Sequence, residues 1–215
     1  MPKGFLKEAY SLVKNAGWLC ISDEVQTGLG RTGSNYWGFQ LHDVVPDIVT
    51  IGKPLGNGHP IAAVACTIKV AEKFANGMEF FNTFGGNPVS SIISKTVLEV
   101  VEGEKLQQNA LIVGNFLKKE LQKLSKKYPI IGDIRGQGFF LGIELVDSNL
   151  IPLERHASYL VNRMKNHGIL MSTDGPENNV LKIKPPLVFS IDNAKEVIFY
   201  LKKILDEDLM KDFKS

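Results

Sequence analysis

Hydrophobic residues recur every three to four positions in several parts of the chain, as they do on one face of an α-helix. The spacing predicts helices over residues 5–14, 153–168 and 191–209, and two helices within 87–127 that meet near Gly103. Gly168 is a candidate C-terminal cap for the helix over 153–168, and Asp192 is a candidate N-cap for the helix over 191–209.

Short apolar runs between the predicted helices indicate β-strands. In the first half these runs are "WLCIS" (18–22), "DIVTI" (47–51) and "IAAVACT" (61–67). Continuous apolar runs are typical of strands buried on both faces, as in a parallel α/β sheet. The second half carries "IIGDIRGQGFFLGIELV", two strands broken at Gly136 and Gly138, followed by "ILMS" and "VLKIK". The pattern therefore predicts an α/β fold, with a domain boundary inside or beside the long helical stretch.

Composition and charge narrow the class of protein. The chain has 215 residues, 44% of them hydrophobic, and a formal net charge of +2. No face is strongly basic, so we expect no binding to nucleic acid or to a membrane surface. Cys20 and Cys66 lie in apolar runs and are interpreted as reduced core residues. The first residues lack the apolar core of a signal peptide, and no run approaches the ~20 apolar residues of a membrane span.

Two ionisable residues follow neighbouring predicted strands. Asp23 comes directly after "WLCIS", and Lys53 comes two residues after "DIVTI", within the Gly- and Pro-rich segment "GKPLGNG". Ligands of open α/β sheets bind outside the carboxyl ends of the strands. Pyridoxal phosphate needs a lysine amine for its Schiff base and an acidic partner for its ring nitrogen. The spacing by itself favours a structural ion pair between Asp23 and Lys53, since most charged residues are solvated or paired.

The surrounding motif resembles a known family. The block "ISDEVQTGLGRTGSNYWGFQLHDVVPDIVTIGKPLGNGHPIAAV" (21–64) is similar to the active-site block of the class III (subgroup II) pyridoxal phosphate aminotransferases, in order and in spacing. The resemblance implies that Lys53 is the Schiff-base lysine and that Asp23 partners the pyridine nitrogen. It also implies that Val25 packs on the ring face and that Gln26 lies near the ring hydroxyl.

Two further blocks extend the resemblance. "FNTFGGNP" (81–88) matches the family block in which Thr83 would bind the cofactor phosphate of the neighbouring subunit, so a homodimer is expected. "IRGQGFFLGIEL" (134–145) matches a strand pair of the family's small domain, and its Arg135 is interpreted as structural. "GLGRTG" (28–33) also fits the dinucleotide pattern G-x-G-x-x-G, but "SNYWGFQ" after it is a poor helix start, so that interpretation is rejected. No metal site is expected.

The resemblance covers only part of a family member. Members are about twice this long, and the chain is similar to their C-terminal half. The implied fold is fold type I of the pyridoxal phosphate enzymes. Residues 1–107 would be the C-terminal part of the large cofactor domain, with a mostly parallel sheet, and 108–215 the α/β small domain. The family's phosphate-binding loop and ring-stacking aromatic residue would lie upstream. We therefore expect a fragment, or a remainder supplied by another chain.

The residues before "PPL" bear on the substrate. Many family members place an arginine three residues ahead of the first proline, where it binds a substrate carboxylate, whereas this chain has Lys182. An ammonium is a point charge that suits a phosphate better than a bidentate carboxylate. The tail resembles the phospho-lyase branch, the ethanolamine-phosphate and 5-phosphohydroxylysine phospho-lyases once called alanine–glyoxylate aminotransferase 2-like. The alternative is that Lys182 and Lys184 are outward lysines that protect an edge strand from aggregation.

Three functions remain open on the sequence. The first is a phospho-lyase that eliminates phosphate and ammonia from O-phosphoethanolamine or 5-phosphohydroxylysine, with pyridoxal 5'-phosphate as cofactor. The second is a transaminase that moves an amino group to pyruvate or glyoxylate. The third is an inactive fragment that retains only the scaffold. The expected location is cytoplasmic or mitochondrial.

Overall fold

The computed structural model describes residues 4–207 and 210, and it divides into two compact units, Met1–Gln107 and Gln108–Ser215. The first unit contains α1 (Phe5–Asn15), β1 (Ile21–Asp23), β2 (Ile48–Ile51), β3 (Ala63–Cys66), α2 (Ile68–Phe74) and α3 (Pro88–Gly103). The second contains α4 (Leu106–Lys127, which begins two residues before the division), β4 (Ile131–Gln137), β5 (Phe140–Leu145), α5 (Glu154–Asn166), β6 (Ser172–Asp174), β7 (Val180–Ile183) and α6 (Ile191–Leu205).

The sheet of the first unit has three strands in the order β1-β2-β3. β1 and β2 are parallel, with Ile21 opposite Ile48, whereas β2 and β3 are antiparallel, with Ile51 opposite Ala63. The expectation of parallel pairing is therefore confirmed for the first pair and wrong for the second. The connection between β2 and β3 is a tight irregular turn, not the helical crossover that parallel neighbours require.

Burial in this sheet also differs from the expectation. β3 is an edge strand, and all four of its residues are exposed within the unit. Cys20 is buried as expected, but Cys66, which ends β3, is exposed. The prediction of burial on both faces is thus wrong for β3 and also for β1, whose Ile21 and Asp23 are exposed. The apolar side chains of β3 meet no covering element among the residues that the structure describes.

The Gly-rich segment between β1 and β2 is irregular, as predicted. No α-helix opens after Gly33, and the next helical residues form a short 3-10 helix at Gly38–His42. This confirms the rejection of the dinucleotide interpretation for residues 28–33. A second 3-10 helix, Lys53–Leu55, and helix α2 are elements that the sequence pattern did not reveal.

The second unit is a four-stranded antiparallel sheet in the order β4-β5-β7-β6, with α5 and α6 packed together on one face. Its core contains Leu117, Leu121, Phe139, Leu141, Ile143, Leu145, Leu160, Met164, Leu181, Leu201 and Ile204. The inward residues alternate along β5 and β7, which is the period of a strand buried on one face.

Helix ends in this unit follow capping rules, with one correction. α5 ends before Gly168, whose φ of +78° is the left-handed conformation that glycine supplies after a helix. The N-cap of α6 is Ser190, whose hydroxyl accepts a hydrogen bond from the Asn193 amide at 3.1 Å. The prediction that Asp192 caps this helix is wrong, since Asp192 lies in the first turn and pairs with Lys195.

Candidate functional site

Strand register brings Asp23 and the Lys53 turn to the same edge of the first sheet. Asp23 is the last residue of β1, and its Cα partner across the parallel ladder is Thr50 of β2. Lys53 follows Thr50 by three residues along the chain. Because parallel strands end at the same edge, both residues occupy the carboxyl edge where α/β sheets bind ligands.

Lys53 has a strained backbone. It is exposed, it begins the 3-10 helix Lys53–Leu55, and its φ is +30°, in the left-handed region that side chains other than glycine rarely adopt. The Leu55 amide donates to the Gly52 carbonyl at 2.9 Å and closes the turn. Strain of this kind clusters at functional sites, so its occurrence at this lysine marks a candidate site.

The Asp23 carboxylate is oriented by two donors. Its Oδ1 accepts hydrogen bonds from the Val25 amide at 3.0 Å and from the Thr50 hydroxyl at 3.3 Å, and the residue is exposed at the strand end. Thr50 was missed by the sequence reasoning. The signal that could have found it is its place opposite Asp23 in a parallel pairing of "WLCISD" with "DIVTI".

Val25 and Gln26 lie in the turn that follows β1. A Cβ added to Gly52 would lie 3.5 and 3.6 Å from the two γ-carbons of Val25, so this valine lies close to the residue that precedes Lys53. Gln26 is half-buried next to it. The structure therefore places Asp23, Val25 and the Lys53 turn at one edge of the sheet.

A buried glutamate holds this region together. Glu24 is only 1% exposed, and its carboxylate accepts hydrogen bonds from the Ser22 and Thr27 hydroxyls and the Gly38 and Phe39 amides, at 2.7–3.0 Å. Four donors compensate for burying this carboxylate. Sequence reasoning missed its role, because two of the donors are backbone amides 14 and 15 residues away.

Thr83 lies on an exposed, hydrogen-bonded turn. The side chain of Asn82 accepts from the amides of Phe84, at 3.2 Å, and Gly85, at 3.0 Å. The Asn87 side chain donates to the Phe84 carbonyl at 2.9 Å and caps α3 through the Ser90 amide. The turn is thus held from both ends, which presents the Thr83 side chain at the surface of the unit.

Lys182 and Arg135 lie in the second unit, on β7 and β4. Both residues pair in register with Gly142 from opposite sides, so their side chains project from the same face of the sheet. Lys182 forms an ion pair with Asp174, and this hydrogen bond is the main cause that lowers the pKa of Asp174. β7 lies between β5 and β6, so the edge-strand alternative for Lys182 is wrong.

Arg135 is tied to two carboxylates of its own sheet. It pairs with Glu144 and, at 3.0 Å, with Asp133. The hydrogen bond to Glu144 is the main cause that raises the pKa of Arg135. Because both acids are its neighbours within the sheet, the contacts agree with a structural role for this arginine.

The residues at the edge of the first sheet fit pyridoxal phosphate. An exposed lysine and an oriented carboxylate stand at neighbouring strand ends, and Val25 lies close to Gly52, the residue before the lysine. Lys53 would hold the aldehyde carbon and Asp23 the ring nitrogen. Elsewhere, within residues 4–207 and 210, no group of three or more His, Cys, Asp or Glu could hold a metal ion.

Comparison with known proteins places this fold in one class. The chain matches the model of the family "Aminotransferase class-III" over residues 1–205, and it belongs to that family. The members of this family are pyridoxal phosphate-dependent enzymes. The two units are accordingly a partial fold type I structure.

Individual relatives carry two kinds of name. The chain is 48% identical over 208 residues to the alanine–glyoxylate aminotransferase 2-like protein of Drosophila melanogaster, covering 95% of this chain and 42% of that protein. It is 44% identical over 202 residues to human mitochondrial alanine–glyoxylate aminotransferase 2, covering 91% and 39%. A phospholyase from Arthrobacter in complex with phosphoethanolamine superimposes with a TM-score of 0.93 and 41% identity, covering 95% and 49%.

The chain spans less than half the length of these relatives, between 39% and 49%. More than half of each of these relatives therefore has no counterpart in this chain. Among the described residues, no helix combines the length and the apolarity needed to cross a membrane.

Proposed function

We propose that this chain is part of a pyridoxal phosphate-dependent phospho-lyase that eliminates phosphate and ammonia from a small phosphorylated amine. The observation that carries the proposal is Lys182, which stands on an interior strand where a carboxylate-binding arginine is common in the family. The likeness to the Arthrobacter phospholyase supports it, since that protein was solved with phosphoethanolamine. O-phosphoethanolamine has no carboxylate beside its amine, so an arginine fork would have nothing to bind.

The chain's own residues supply three actions. Lys53 holds the cofactor and, once the substrate amine has replaced it, accepts the proton from the carbon that bears that amine. Asp23, oriented by Val25 and Thr50, keeps the proton on the ring nitrogen. Bound pyridoxal phosphate serves as the electron sink for the deprotonated carbon.

Lys182 would bind the leaving phosphate ester. Its ammonium is paired with Asp174, whose side chain is 52% exposed, so a substrate phosphate competes with a solvent-screened carboxylate for it. The Lys182 ammonium would stabilise the negative charge of the phosphate as the carbon–oxygen bond to the substrate breaks. In the overall reaction one water is consumed, and each substrate molecule gives one aldehyde, one phosphate and one ammonia.

A transaminase is the second candidate, favoured by the names of the human and Drosophila relatives. It shares proton removal by Lys53, but it returns the proton to the cofactor and leaves any phosphate esterified. Incubating the full-length protein with O-phosphoethanolamine or 5-phosphohydroxylysine, without a keto acid, separates the two. The lyase releases phosphate, and the transaminase releases none. A full-length protein that binds no cofactor would be the inactive scaffold.

A further inference from the structure

A side-chain hydrogen bond joins the segment from Lys53 to His59 to helix α3. His59 Nε2 lies 2.7 Å from the Ser90 hydroxyl, and Ser90 is 9% exposed in the first turn of that helix. α3 also packs against the 3-10 helix that Lys53 begins. His59 is therefore the polar link between the Lys53 turn and a regular helix.

The backbone between Lys53 and His59 is tightly folded, so fixing His59 also restricts the position of Lys53. The Asn57 amide donates to the Pro54 carbonyl at 3.2 Å, and the His59 amide donates to the Gly56 carbonyl at 3.0 Å. A Cβ at residue 56 would lie 2.0 Å from the His59 carbonyl oxygen, so only glycine allows this closure. The seven residues thus form consecutive closed turns with little slack.

The serine at the other end is fixed by Asn87. The Asn87 Oδ1 accepts from the Ser90 amide at 2.9 Å, and Nδ2 donates to the Ser90 hydroxyl at 3.0 Å and to the Phe84 carbonyl at 2.9 Å. An amide N–H can only donate and a carbonyl can only accept, which settles the orientation of the Asn87 side chain. The Ser90 oxygen keeps a proton and a lone pair for His59, so either imidazole tautomer completes the chain.

We propose that His59 is a positioning residue that anchors the Lys53 turn to the first turn of α3 and so preorganises the Lys53 amine for covalent attachment to the cofactor. This inference rests on the proposed role of Lys53. The Thr83 turn has its own hydrogen bonds through Asn82 and Asn87, which do not involve His59. Loss of His59 therefore loosens the lysine and leaves the Thr83 turn in place.

Two ligands separate these effects in the full-length protein. Pyridoxal phosphate bonds covalently to the lysine, whereas pyridoxine 5'-phosphate carries an alcohol in place of the aldehyde and cannot. We expect His59→Leu and Ser90→Ala to weaken pyridoxal phosphate binding by roughly 5- to 150-fold, the range for a hydrogen bond whose partner is left buried. Binding of pyridoxine 5'-phosphate should change by less than about twofold, because it makes no bond to Lys53.

Matched variants sharpen the comparison. Ser91→Ala alters the exposed neighbour of Ser90 and should leave both affinities unchanged. The double variant should bind pyridoxal phosphate about as well as Ser90→Ala, since the serine variant already lacks the hydrogen bond to His59. His59→Gln places an amide nitrogen near the position of Nε2, and we expect it to restore binding to within about threefold of the original protein.

Several results would overturn the proposal. Equal losses of affinity for both ligands would show that His59 supports the phosphate site or the whole fold. Unchanged affinities would show that the hydrogen bond between His59 and Ser90 has no effect on cofactor binding. If His59→Leu fails to fold, the milder Ser90→Ala and His59→Gln variants decide the matter alone. Borohydride reduction of the original protein distinguishes a failure of the role proposed for Lys53 from a failure of the role proposed for His59. A pyridoxyl label on another lysine refutes the role of Lys53, whereas a label on Lys53 with unaffected variants refutes only the role of His59.

Discussion

At the Lys53 turn, the sequence motif and the backbone geometry indicate the same functional residue. The lysine follows a strand end, has a φ of +30° and lies at the edge of the sheet that Asp23 also occupies. We therefore expect borohydride reduction of the full-length protein loaded with pyridoxal phosphate to fix the cofactor on Lys53. Peptide mapping locates the label, and Lys69, an exposed lysine of α2, serves as an internal control that should remain unlabelled. A label elsewhere would remove the chemical basis of the proposed function.

The proposed substrate can be tested at a single residue, Lys182. A hydrogen bond from a charged group to the substrate phosphate contributes about 1.5–3 kcal/mol. Lys182→Ala in the full-length enzyme should accordingly lower kcat/KM for O-phosphoethanolamine by roughly 10- to 150-fold. Steady-state phosphate release measures the effect.

Two neighbours of Lys182 provide controls for that measurement. Lys184 lies two residues further along the chain, and its ammonium stands 5.9 Å from the centroid of the Phe140 ring. Lys184→Ala should change kcat/KM by less than about threefold. Asp174→Asn removes the carboxylate that competes with the substrate phosphate for Lys182, so it should not weaken substrate binding. Equal losses for Lys182→Ala and Lys184→Ala would mean that general charge, and not a contact, is responsible.

At the scale of elements, α5 is joined to the end of α6 by a carboxylate. Glu207 accepts hydrogen bonds from Arg163, including one of 2.9 Å from Nε, and from the Tyr159 hydroxyl. Arg163 first, and Tyr159 second, lower the pKa of Glu207 from 4.5 to about 2. An acid with a depressed pKa stabilises the folded state above its unfolded pKa and loses that contribution as the pH falls through the folded one.

Stability should therefore depend on Glu207 between pH 4.5 and about 2. We expect the melting temperature of the original protein to fall more steeply below pH 4.5 than that of Glu207→Gln, which is already less stable at pH 7. Asp192→Asn is the control, because Asp192 pairs with Lys195 in α6 but its side chain is 87% exposed. Parallel melting curves for the original protein and Glu207→Gln would refute the linkage.

Elements with a strong hydrophobic period were predictable, and those fixed by distant contacts were not. α4 and α5 follow the 3.6-residue period of their apolar side chains, and β5 follows the 2-residue period of a strand. The direction of β3 was missed, because an apolar run has the same appearance in parallel and antiparallel sheets. The sequence pattern indicated Asp192 as the N-cap of α6, but Ser190, two residues earlier, accepts the hydrogen bond from the Asn193 backbone amide.

The candidate site shows the same limit. Asp23 and Lys53 were accessible from sequence because they follow apolar runs and match a family motif. Glu24, Thr50 and His59 were not, since their roles depend on partners 14 to 31 residues away. Only the folded chain brings such partners together.

At the scale of the whole molecule, the chain is expected to be an incomplete cofactor site. It spans less than half of its relatives, and it exposes several large apolar side chains in the first unit, including Trp18, Met78, Phe80, Phe81 and Phe84. We expect the 215-residue chain alone to bind pyridoxal phosphate at least about 100-fold more weakly than the full-length protein, because most phosphate contacts would lie elsewhere. Equilibrium dialysis of both proteins measures the ratio, and equal affinities would contradict the expectation.

The choice between elimination and amino-group transfer can be measured on the substrate itself. Phosphorus NMR of the full-length enzyme with O-phosphoethanolamine and no keto acid follows the ester and free phosphate together, and ammonia is measured in the same samples. The lyase predicts that inorganic phosphate and ammonia appear in equal amounts, and that Lys53→Ala abolishes both. The account is contradicted if the phosphate stays esterified and the amino group is lost only after pyruvate or glyoxylate is added.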